Sequence, residues 1–140
     1  AYAAELKANA PDGADYPAFD ITFLGVGPDG HIASLFPDRS GIRVDDRTVI
    51  PVRNSPKPPP ERLSLTLPVI NSSERVWLVL AGADKASALG LTLADASVFE
   101  VPAAGVHGRK STRFLVDQEA AAEVPDNLKT PDQFWTSDDE

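Results

Sequence analysis

The stretch FDITFLGVGPDGHIASLFPD, Phe19–Asp38, decides how the rest of the chain is read. Phe19–Leu24 is rich in β-branched and aromatic residues and ends at Gly25, which predicts a strand buried on at least one face. Gly25, Gly27 and Gly30, with Pro28 and Asp29 among them, then make a tight loop. From about Gly30 the run His31, Ile32, Ala33, Ser34, Leu35, Phe36 predicts a short helix stopped by Pro37. Glycines let a ligand approach the backbone of such a loop, and the free N–H groups of a helix start favour an anion. Asp29 lies two positions before His31, where a carboxylate can orient an imidazole, the side chain best suited to proton transfer near neutral pH. On pattern alone two readings stand: a general acid or base on a ligand-binding turn, or an N-capped turn with a structural histidine.

The arrangement recurs downstream. Arg75–Ala81, RVWLVLA, is the strongest strand in the chain, with Trp77 expected in the core, and it runs through Gly82 into the helix-compatible ADKASALGLTLA. Lys85 falls in the first turn of that helix, where the macrodipole disfavours a cation; a bound phosphate would rationalise it, and a solvated lysine is the plain alternative. Between the two units, Thr48–Arg53 and Arg62–Leu67 read as strands, the second with Leu63, Leu65 and Leu67 on one face. They are separated by NSPKPPPE, a loop stiffened by three consecutive prolines and carrying Lys57. Leu67–Ser72 predicts a short helix, Thr112–Val116 a last strand, and DQEAAAE a further helix, while AYAAELKAN at the start reads as a helix end. Strand, glycine loop and helix in repetition mean an α/β fold with a mainly parallel sheet, whose sites lie at the carboxyl ends of its strands. The expected division is one α/β domain over residues 1–117 and a terminal helix and acidic tail over 118–140, with Trp135 anchoring the tail.

Composition narrows the function. A formal charge of −8 argues against nucleic acid as a partner, yet Arg39, Arg43, Arg47, Arg53, Lys57 and Arg62 leave room for a local site for a small anion. With no cysteine and only His31 and His107, neither a disulfide nor a thiolate or histidine metal cluster is expected. No apolar run reaches the roughly 18–20 residues of a membrane span, so no membrane association and a cytoplasmic setting are expected. The chain lacks methionine and opens inside a helix, which suggests the C-terminal part of a longer protein.

Three blocks in order, LGVGPDGHIASLFP, SPKPPPERLSLTLPVIN and RVWLVLAGADKASAL, closely resemble the 6-phosphogluconolactonase family over about Phe19–Asp117. The resemblance implies a Rossmann-like, mainly parallel sheet flanked by helices, of the sugar-phosphate isomerase/deaminase type. It implies hydrolysis of 6-phosphoglucono-1,5-lactone without metal or organic cofactor, with His31 as the water-activating base and Asp29 as its neighbouring acid. Gly27 and Gly30 would lie against the substrate, and Lys57, Lys85 and Arg62 near its phosphate. The related deaminases are expected to carry a glutamate five residues after this histidine, where Phe36 stands here. Nothing in the chain matches the family's N-terminal half, so a missing half of the same fold and an exposed sheet surface in its place are expected. A deaminase-like enzyme, a non-catalytic sugar-phosphate-binding module and an inactive fragment are the alternatives.

Overall fold

A computed structural model describes residues 1–129. The chain begins with helix α1 (Tyr2–Ala8) and enters strand β1 (Ile21–Gly25). Strands β2 (Val49–Val52) and β3 (Arg62–Leu65) follow, then helix α2 (Leu67–Asn71), strand β4 (Arg75–Leu80), helix α3 (Ala86–Leu93) and strand β5 (Ser111–Val116). The order β1-β4-β5 makes a three-stranded, wholly parallel sheet, with Ile21 beside Arg75 and Arg75 beside Ser111. β2 and β3 pair separately as an antiparallel hairpin whose tip is the proline loop. The expected mainly parallel α/β architecture is therefore present.

Alternation along the strands explains where the core sits. Leu24, Val76, Leu78 and Leu80 point to one face and pack with Ile70 of α2, Leu89 of α3, and Ile32 and Leu35 from the glycine loop. The opposite face carries Ile21, Phe23, Trp77, Val79 and Leu115, and it is open: Phe23 is 61% exposed and Val79 46%. Trp77, expected in the core, belongs to this face and meets Phe23 edge to face at 5.6 Å. Parallel sheets normally carry cover on both faces, so a bare apolar face is the surface expected where a further layer belongs. Among the described residues no helix is long and apolar enough to cross a membrane.

Three local expectations are corrected. Residues 31–36 form no helix; Ile32 makes isolated bridges to Val26 and Leu35, and Ala33 sits at φ 47°, so the segment folds as a tight turn centred on Ala33 and Ser34. The run DQEAAAE is also a set of turns, tied to the end of β4 by the Asp117 carboxylate, which takes the N–H groups of Gly82 and Ala120. In β3 the apolar alternation is inverted: Leu63 is 61% exposed while Ser64 is buried, its hydroxyl accepting from the Ser34 amide and donating to the Leu65 carbonyl. Ala120 and Val124 join the core, so the chain beyond residue 117 is packed at least that far. The acidic ending and Trp135 lie outside the described residues.

Candidate active site

The glycine loop leaves β1 at its carboxyl end and turns back on itself. Gly27 N–H donates to the His31 carbonyl (2.9 Å), Gly30 N–H to the Gly27 carbonyl (2.9 Å), and Ala103 N–H to the Gly30 carbonyl (3.0 Å). The N–H groups of Gly27 and Gly30 are thus spent within the loop, and these glycines serve by what they lack. A Cβ on Gly27 would overlap the His31 ring at Nδ1 and Cε1. Gly30 takes φ 86°, a conformation that favours glycine.

This geometry presses Asp29 and His31 together. Asp29 Oδ1 accepts from both the backbone N–H of His31 (3.1 Å) and the ring at Nδ1 (2.6 Å). Partial burial pushes the Asp29 carboxyl up, but the ring and amide hydrogen bonds of His31, with the charges of His31 and Lys57, outweigh it and hold the pKa below its ordinary value. An ionised carboxylate only accepts, so Nδ1 carries a proton, and in the neutral ring the lone pair is then on Nε2. The pair is partly buried, with 15% of the His31 side chain and 34% of the Asp29 side chain exposed. The His31 ring stacks on Phe36 at 4.5 Å and 29°, and Phe36 is buried.

Three cations converge on this loop by different routes. Lys57, from the hairpin tip, is close enough to act on the Asp29 charge. Lys85, on the short turn of 3₁₀ helix Ala83–Lys85 that opens α3, reaches back to the Val26 carbonyl at 2.7 Å. One ammonium hydrogen is thereby committed, and two remain. Arg62 donates to the carbonyls of Lys57, Pro58 and Pro59 at 2.9–3.1 Å, and its guanidinium lies 5.4 Å over the Phe36 ring. It therefore shapes the loop that carries Lys57, through a cis Pro58–Pro59 bond.

The remaining cations separate. Arg39, Arg47 and Arg53 line a cleft of about 230 Å³ together with Ser34 and Phe36, whereas Arg43 stacks on Phe99 at 3.9 Å. His107 is exposed, its backbone N–H bonded to Asn71. One positioning residue escaped the sequence reading: Asp117 at the end of β5, whose two carboxylate oxygens take the Gly82 N–H at 3.0 and 3.1 Å and so hold the turn leading to Lys85. Its pKa is held down by the N–H groups of Ala120 and then Gly82. An acid directly after a β-strand, facing the end of the next strand over, is the only signal the sequence offers for it.

Known proteins are similar to this chain in sequence and fold. A family model described as glucosamine-6-phosphate isomerases/6-phosphogluconolactonase matches residues 1–115. A 6-phosphogluconolactonase of Streptomyces coelicolor is 51% identical over 133 residues, which are 94% of this chain and 51% of that protein. The structure of a 6-phosphogluconolactonase from Trypanosoma brucei superposes with a TM-score of 0.74 at 29% identity, covering 89% of this chain and 51% of the other. A monomeric glucosamine-6-phosphate deaminase superposes with a TM-score of 0.61 at 25% identity, covering 74% of this chain and 47% of the other. The chain spans about half the length of the curated relatives it matches. With a family model covering most of its length and a relative that shares half of its residues, the chain belongs to the glucosamine-6-phosphate isomerase/6-phosphogluconolactonase family.

Proposed function

We propose that this chain is the base-bearing half of a hydrolase that opens 6-phosphoglucono-1,5-lactone to 6-phosphogluconate. The carrying observation is the Asp29–His31 pair, in which one carboxylate oxygen accepts from both the ring and the backbone of the histidine. With Nδ1–H held by Asp29, His31 Nε2 takes a proton from water as its oxygen attacks the lactone carbonyl carbon. The resulting tetrahedral oxyanion collapses, the bond from carbon to ring oxygen breaks, and the imidazolium returns its proton to that oxygen. Asp29 stabilises the transient imidazolium and does not itself take the proton. A lactone is an activated ester, so one base with local positive charge meets the need and no serine or cysteine nucleophile is required.

Lys57 and the two uncommitted hydrogens of Lys85 suit the dianionic phosphate, and the loop of Gly27 and Gly30 gives the sugar close access. Arg62 supports the Lys57 loop and adds positive charge behind it. Phe36 separates this reading from a deaminase, since a phenyl ring moves no proton for ring opening. The proposal includes a cytoplasmic setting, and a complementary half of the fold seated on the open sheet face. The exposed Phe23 and Val79 and the half-length match to relatives support that seat.

The test joins this chain to the portion of the Streptomyces coelicolor relative that it does not match. Acid release from freshly generated lactone is then followed above the spontaneous rate. Hydrolysis by the joined protein, with kcat/KM falling about 10²–10⁴-fold in His31→Ala, is expected. A joined, folded protein no faster than the spontaneous reaction, or one indifferent to His31→Ala, refutes the proposal.

A further inference from the structure

A single short hydrogen bond does not fix an imidazole. The Nδ1 to Asp29 Oδ1 contact of 2.6 Å leaves the ring free to pivot about the line joining the two atoms, and a pivot of that kind swings Nε2 through an arc. Gly27 lies against the ring at Nδ1 and Cε1 and blocks movement on that side. The remaining freedom is removed by Phe36, whose ring stacks on the imidazole at 4.5 Å with the planes 29° apart. Phe36 is itself immobilised: it is buried to within 2% and lies beneath the Arg62 guanidinium, which three carbonyls of the proline loop hold in place. The column from Arg62 through Phe36 to His31 thus links the loop of Lys57 to the plane of the base.

We propose that Phe36 is a positioning residue that holds the His31 ring in the orientation its base role needs; this rests on the hydrolase reading above. Its aromatic face, rather than its bulk, does the positioning. Leucine or methionine fills much of the same space without a flat surface on which the imidazole can lie. Misplacing a reacting group by about 1 Å costs up to about 10²-fold in rate, and it does so without altering groups that hold the remote phosphate.

The experiment compares Phe36→Leu and Phe36→Met with wild type by two readouts. The first is proton NMR of the His31 Nδ1–H, whose bond to Asp29 shields it from solvent exchange; His107, exposed and distant in sequence, is the reference. The second is the split between kcat and KM for lactone hydrolysis by the joined protein. Wild type is expected to show the Nδ1–H signal. Both variants are expected to lose it by exchange while keeping a native amide spectrum, with kcat falling roughly tenfold or more and KM within about twofold. Retention of the Nδ1–H signal, or of wild-type kcat, in either folded variant overturns the proposal. Loss of the native amide spectrum in both makes Phe36 a core residue only and overturns it too. If the wild type does not hydrolyse lactone, the hydrolase reading falls on that ground, while the NMR comparison still decides whether Phe36 holds the ring.

Discussion

Replacing Gly27 by alanine tests the site at its tightest point. The added methyl would overlap His31 Nδ1 and Cε1 and come within 2.6 Å of Asp29 Oδ1, and atoms so placed must move. Neither neighbour is the far end of a flexible side chain: the ring is bounded by Phe36, and Asp29 is tied to the His31 amide. The imidazole must therefore withdraw by roughly 1 Å, a displacement that costs on the order of 10²-fold in rate, or about 2.7 kcal/mol of transition-state stabilisation. The folded state loses less. A charge-assisted hydrogen bond contributes about 1.5–3 kcal/mol at most, and the partial exposure of this pair reduces that to about 1 kcal/mol. Gly27→Ala in the joined protein should therefore melt only a few degrees lower, yet release acid from the lactone about a hundredfold more slowly at subsaturating substrate. A variant within twofold of wild-type kcat/KM would show that the ring does not need its present place, and the reasoning from geometry to rate would fail.

Two further outcomes are expected. The Asp29 pKa is depressed on folding, so its stabilisation is complete above the ordinary carboxylate value of 3.8 and is lost as pH falls through the lower folded value. Thermal melts of wild type and Asp29→Asn should accordingly differ by a steady gap from pH 6 down to about pH 3.8 and converge as the pH falls further, and a gap that persists undiminished at lower pH contradicts the assigned pairing. On the open face, Val79→Thr keeps the branched shape but adds a hydroxyl. Denaturant titration should show a cost within about 0.5 kcal/mol in the 140-residue chain, rising to about 1–3 kcal/mol in the joined protein, and equal costs in both would refute a covering half at this face.

Much of this structure was legible in the sequence because the sheet is built from short, emphatic apolar runs. β1, β4 and their following glycine loops were placed to within a residue or two, and the Asp29–His31 pair was visible from its spacing. The failures have physical causes. Ile32, Leu35 and Phe36 fall at the i, i+3, i+4 spacing of a helix, but six residues before a proline cannot offset the cost of helix nucleation, and a tight turn buries the same side chains. The alanines after Asp117 have high helix propensity, but the run is short and burial of Ala120 and Val124 against the core is met by turns instead. In β3 the side chains follow the hairpin's position over the core rather than their own polarity, since a buried Ser64 with both hydrogen-bonding functions satisfied is tolerated. Which cation touches which loop depends on tertiary approach, and no local pattern encodes it.

The two sheets also differ in when they can form. β2 and β3 are neighbours joined at Val52 and Arg62, a local closure of the kind that proceeds in about 1–10 μs. The parallel sheet must instead bring Ile21 to Arg75 and Arg75 to Ser111, so its loop-closure entropy is met only after long stretches of chain have been gathered. Lys57 rides on the early hairpin and His31 on the loop that the late sheet anchors. Loop-closure entropy alone therefore favours the cationic arm over the loop of His31 in the order of formation, and the two groups meet only once the parallel sheet has closed.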